Sequence, residues 1–110
     1  MRIWDIPPEK LCRNHLLGEH SELHAVWVIL AQGQRGGYAN HPEVKRWRGK
    51  LKALYRKHQE IVAEMLARGY QHNSPLDPEL ATGAETQDAF LDSPEEQVRI
   101  LRDKGCDCHV

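Results

Sequence analysis

Residues 8–32, PEKLCRNHLLGEHSELHAVWVILAQ, constrain the fold more than any other stretch of the chain. Leu16, Leu23, Trp27 and Leu30 recur at steps of three, four and seven, the spacing that gathers apolar side chains on one face of a helix. His15, Glu19 and Glu22 recur at the same steps on another face. The pattern predicts a long first helix over 8–32, with Pro7-Pro8 at its opening, where proline is tolerated. At a rise of about 1.5 Å per residue, the two carboxylates lie about one turn apart. A helix that packs with one side and presents an imidazole and two carboxylates on another is a scaffold for acid–base chemistry.

The remaining chain has to cover that apolar face. Residues 34–42, QRGGYANHP, are a loop by composition. A second helix is expected from Pro42 or Glu43 to about residue 68, with Val44, Trp47, Leu51, Leu54, Ile61 and Met65 on its stripe and Tyr55, Val62 and Leu66 beside it. Gly69 is placed to end it. Residues 71–90 read as a long acidic loop anchored by Leu76, Leu80 and Phe90. Ser93-Pro94-Glu95-Glu96 has capping-box spacing, so a short third helix should run to about residue 104, with Val98 and Leu101 inward and Gly105 ending it. Ahead of all this, Ile3, Trp4 and Ile6 suggest a packed, extended arm. The expected fold is all-α: one compact domain over 1–110, built from two long helices and a shorter C-terminal one, with an extended arm and long loops. A chain of 110 residues makes one modest core. No apolar run approaches the roughly 20 residues that span a bilayer, and MRIWDIPPEK lacks the pattern of a secretory signal. A cytoplasmic, nucleoid-associated monomer is expected.

The net charge of −1 hides an asymmetry. Residues 1–70 carry 12 Lys/Arg against 7 Asp/Glu, whereas residues 71–110 carry 3 against 9. Residues 45–57 alone hold Lys45, Arg46, Arg48, Lys50, Lys52, Arg56 and Lys57 with no acid among them, so no i,i+4 pairing inside the run can balance them. Two readings stand: a surface that tracks phosphates, or a basic face that pairs with the acidic tail. The three cysteines, Cys12, Cys106 and Cys108, are an odd number and argue against a disulfide framework. Cys106-Asp107-Cys108-His109 offers soft ligands for zinc, but four are needed, and Cys12 or one of the remaining histidines would have to complete the set. The favoured reading is a tail packed against the body, with no metal and no cofactor.

The run HLLGEHSEL, the loop GGYANHP and the segment KLKALYRKHQEIVAEMLARGY together resemble the pyrimidine-dimer DNA glycosylases, the ultraviolet-repair enzymes also called endonuclease V, in their bacterial branch. The resemblance covers roughly residues 1–76. It implies a compact helical protein that cleaves the glycosidic bond of a pyrimidine dimer in double-stranded DNA. The nucleophile is the chain's own first α-amine, which forms an imine with C1′ before the strand breaks by β-elimination; no metal takes part. Carried onto this chain, the nucleophile falls on Met1, the essential glutamate on Glu22, the histidine near the sugar on His15, a DNA-contacting arginine on Arg2, and the glycine-aromatic pair closing the second helix on Gly69 and Tyr70.

Three departures accompany the resemblance. The amine would belong to a methionine, which the bulky Arg2 should protect from removal. Two arginines of the family are replaced by Ser21 and Ala25, leaving His20, His24 or the basic run to substitute. GCDCHV stands where the family has an aromatic tail. The candidate DNA-contacting set is Arg2, His15, Glu19, His24, Asn40, His41, Arg46, Arg48, Lys52, Gly69 and Tyr70. Asn40 and His41 are placed to line the site, although a simple turn with a cap is the plainer account of each. Trp4, Trp27 and Trp47 are read as core, Trp4 being one candidate to touch DNA. The alternative function is a catalytically silent duplex-DNA-binding module with a zinc-bound Cys/His tail.

Overall fold

The computed structural model describes residues 2–110 and is all-α. Four helices follow one another: α1 (Arg13–Ala31), α2 (Pro42–Lys45), α3 (Leu51–Ala67) and α4 (Pro94–Asp103), with short 3-10 turns at Pro8–Lys10, Gly37–Asn40 and Pro78–Leu80. No helix among the described residues is long and apolar enough to cross a membrane. The core lies between α1 and α3. Leu16, Leu23, Val26 and Trp27 from α1 meet Leu54, Ile61 and Met65 from α3, and Ile3, Trp4, Ile6 and Leu101 close the ends. All three tryptophans are core residues.

The first helix begins at Arg13 rather than at residue 8. Pro8–Lys10 makes a 3-10 turn, and Leu11 and Cys12 are extended. The extension buries Leu11, and Arg68 Nη2 donates to the Leu11 carbonyl at 2.6 Å, satisfying a group that a longer helix would have used internally.

The expected second helix is two helices. After Lys45 the chain turns through residues 46–49, with Gly49 at φ +72°, a left-handed conformation that glycine adopts without strain. The break buries Trp47 and opens the start of α3 to residues 82–84. There Lys52 N donates to Thr82 O at 2.8 Å and Ala53 N to Ala84 O at 3.0 Å, while Ala84 N returns a bond to Gly49 O at 2.8 Å. A distant loop thus accepts from first-turn amides that have no partner inside the helix. Gly83 has φ +83°, and a Cβ there would stand 2.1 Å from Gly49 O. The loop is therefore held by this backbone pairing and by Leu76; Leu80 and Phe90, expected as anchors, are exposed. In α4 the Ser93 hydroxyl accepts from Glu96 N at 3.2 Å, as the capping-box spacing implied, and Leu101 points inward.

Candidate active site

The N-terminal arm crosses the acidic face of α1, and three consecutive amides of the arm are held by buried side chains from three helices. Ile3 N donates to Glu43 Oε1 of α2 at 3.2 Å, Trp4 N to Glu19 Oε1 of α1 at 3.0 Å, and Asp5 N to Gln97 Oε1 of α4 at 2.7 Å. The arm's carbonyls are held as well: Arg46 Nη2 donates to Ile3 O at 2.9 Å and Lys57 Nζ to Ile6 O at 3.1 Å. Arg2, the first described residue, pairs with Asp92 at 2.9 Å and lies over the Trp4 ring. Met1, the expected nucleophile, lies outside the described residues.

Glu19 is 1% exposed. Burial pushes its carboxyl up to about 8, against the opposing pull of Lys57 and the Trp4 amide. Lys57 Nζ is 3.8 Å from Glu19 Oε1, the outer limit of an ion pair, and is hydrogen-bonded to Ile6 O; burial therefore wins, and Glu19 holds a proton at neutral pH. Its Oε2 has no partner among the described residues, a position far less costly for a neutral oxygen than for a charged one. Glu19 was expected to reach DNA; buried here, it positions the arm instead. Glu22, one turn further along, is half-buried, and no cation or donor among the described residues pairs with it. The two glutamates of one face thus differ: one is part of the scaffold and the other remains available.

The basic run divides in a similar way. Arg46, expected to touch phosphate, is 8% exposed. It donates to Glu43 through Nε and Nη2 at 3.0 and 2.8 Å, and to Asp5, Ala89 O and Ile3 O through its two Nη atoms. Removing a guanidinium from water is tolerable only with such complete pairing. Lys52 and Arg56 meet Glu85 at 2.7 and 3.7 Å, and Lys50 meets Asp88 at 3.4 Å. Much of the run therefore pairs with the acidic segment, the blander of the two readings. Arg48 is exposed and donates to Ala39 O at 2.7 Å. It lines a cleft of about 580 Å³ with Arg35, Asn40, Gly33 and Gly36. His41 is the cap of α2, its Nδ1 accepting from Glu43 N at 3.0 Å. Tyr38, beside it, is 69% exposed. Gly69, at φ +82°, ends α3, and the Tyr70 ring lies under Arg13.

His15 sits between two thiols, with Nδ1 3.1 Å from Cys12 Sγ and 3.4 Å from Cys108 Sγ; burial, then Lys104, lowers its pKa. Cys106 completes a group of four whose ligand atoms all lie within 4.8 Å of one another. Cys12 thus does approach the CxC tail, but the histidine is His15 and not the exposed His109. A second group, His20, His24, His58 and His72, is equally close. His24, expected to contact DNA, faces this cluster. Sequence reasoning missed it, although His20 and His24 stand four apart and His58 occupies the α3 stripe between Leu54 and Ile61.

No curated protein and no solved structure matched the chain. A family model described as pyrimidine dimer DNA glycosylase matches residues 1–78, which include the arm, α1, α2 and α3. That match spans well over half of the sequence and every element that holds the arm except α4. The chain belongs to the pyrimidine dimer DNA glycosylase family, and membership implies a role in the repair of ultraviolet-damaged DNA.

Proposed function

We propose that the protein removes a damaged base from duplex DNA and then cuts the abasic strand, with the α-amine of Met1 as nucleophile and Glu22 as the reacting carboxylate. The observation that carries this reading is the arm laid along α1 and tied to it by the Trp4 N–H to Glu19 bond, on the face that also bears Glu22. An α-amine titrates near 7.7–8.0 against about 10.4 for lysine, so about a tenth is free base at neutral pH without special burial.

The amine's lone pair forms the bond to C1′ as the C1′–N bond to the base breaks, and the base leaves with that electron pair and takes up a proton. Opening of the sugar ring gives an imine. Loss of a C2′ proton then expels the 3′ phosphate. Glu22, unpaired among the described residues, stabilises the cationic sugar and afterwards moves protons. Arg35, Asn40 and Arg48 at the cleft between α1 and α3 are suited to phosphates, and the exposed Tyr38 ring to stacking on a base.

Borohydride trapping tests the proposal. Protein is incubated with ultraviolet-irradiated duplex and, separately, with abasic-site duplex, reduced, and mapped by mass spectrometry. A DNA adduct on the Met1 amine is the expected result. No adduct on either DNA, or an adduct on lysine alone, overturns it. The silent-module alternative gives salt-sensitive binding in the same experiment with neither adduct nor cleavage.

A further inference from the structure

Two clusters on α1 play no part in the chemistry above, and neither inference drawn from them depends on the glycosylase reading. We propose that His20, His24, His58 and His72 bind one divalent transition metal ion, with zinc the best match to four imidazoles. The four rings pack with centroids 4.6 to 5.3 Å apart, and His24 Nε2 is 3.1 Å from His58 Nε2. Four nitrogens at about 2.0–2.1 Å from a tetrahedral ion would be about 3.3–3.4 Å apart, so the cluster needs little rearrangement to close on a metal.

The proton arrangement points the same way. Gln59 Oε1 lies 2.9 Å from His58 Nδ1, and an amide oxygen can only accept. His58 therefore carries its proton on Nδ1 and directs the Nε2 lone pair into the cluster, the outer-shell orientation that ligating histidines require. A single proton shared between His24 and His58 would satisfy that pair alone. It leaves His20 Nε2 buried without a partner, a position that a metal would fill. Ser74 Oγ lies 3.4 Å from His72 Nε2 and 3.5 Å from His24 Nε2. At about 100° per residue, His20 and His24 face roughly away from Glu22, so the ion would staple α1, α3 and the chain after Tyr70 rather than enter the reaction.

We infer separately that Cys12, His15, Cys106 and Cys108 bind a structural zinc ion. Three thiols and an imidazole at this separation are a closed zinc set. Cys12 N donates to Cys108 Sγ at 3.0 Å, which holds the tail cysteine against the start of α1. Cys12 also occupies the N-cap position of α1. The tail is already aligned, with His109 N donating to Lys10 O at 2.7 Å. Binding would release protons from the thiols and fasten the end of the chain to the start of α1.

Cobalt(II) titration of reduced, metal-stripped protein tests both. The expected uptake is about two equivalents, with a thiolate-to-cobalt charge-transfer band from one of them. His24→Gln/His72→Gln should take up about one and keep the band; Cys106→Ser/Cys108→Ser should take up about one and lose it. Gln59→Ala, a change at an exposed position, should weaken the histidine site about 10–100-fold while leaving the helical circular dichroism unchanged. Equal uptake by the native protein and the double-histidine variant overturns the first site, as does native uptake confined to the thiolate-bound ion. A titration without the charge-transfer band overturns the second.

Discussion

Glu19 and His20 are neighbours on α1, yet their environments resolve differently. Glu19 faces the arm, gives one oxygen to the Trp4 amide and is driven by burial toward its neutral form, up to about 8. His20 faces α3, and burial followed by the charges of His24, His58 and His72 drives it down to about 4. Both groups end neutral near pH 7. On the arm side, however, one Glu19 oxygen already has the Trp4 amide as its donor, whereas on the α3 side His20 Nε2 has no partner among the described residues and is grouped with three further imidazoles. A buried carboxyl that gives up its charge and keeps a donor is architecture; four imidazoles gathered within ligand reach of one another are a place that a metal can fill.

Changes on either side of α1 test that contrast. The largest effect is expected from Glu22→Gln: strand cleavage should fall by about 10²–10⁴-fold while stability stays within about 0.5 kcal/mol. Cleavage kinetics and urea unfolding on one preparation check both, and a large loss of stability would move Glu22 to the structural side. Glu43→Ala comes next. It leaves Arg46 buried without its main counter-charge, at a cost of about 3–5 kcal/mol, read from the denaturation midpoint. A shift under 1 kcal/mol, about the value of an exposed pair, would mean that the arm's clamp carries little stability.

The third test uses pH on metal-free protein. The folded value of Glu19, about 8, lies above its ordinary 4.5, so the folded state holds the extra proton between the two. The stability linked to it is fully present below pH 4.5 and is lost as pH rises through about 8. Glu19→Gln keeps the acceptor for Trp4 and does not titrate, so its stability relative to the native protein should climb across that window; a constant difference would contradict the neutral carboxyl. His20 runs the other way. Its contribution is present above 6.5 and is lost as pH falls through about 4. The smallest effect is His20→Leu, expected to make the metal-free protein about 1 kcal/mol more stable by removing an orphaned nitrogen. A loss of similar size in thermal melts would reveal a partner for Nε2.

Local patterns were legible in the sequence and long-range ones were not. The α1 stripe follows from Leu16, Leu23 and Trp27, and the start of α4 from Ser93 and Glu96, because each depends on residues within a turn or two. The break before α3 depends on residues 82–84 arriving to hold Gly49 and Lys52, 30 or more positions away in sequence. Arg46 looked like a surface cation because Asp5 and the Ile3 carbonyl become its partners only once the arm has docked; Glu43, three residues before it, was the local signal. His58 stood in plain view on the α3 stripe; its chemistry emerges only when His20, His24 and His72 are brought beside it.

The hold on the arm has a consequence for biosynthesis. Asp5 and Gln97 are 92 positions apart, so the arm is fully clamped only after α4 has been made. A nascent chain can tie Ile3 to α2 and Trp4 to α1 but cannot tie Asp5 to Gln97 until α4 exists, and contacts of such high sequence separation form late and slowly. On the proposed mechanism, full reactivity toward DNA would therefore await the docking of α4.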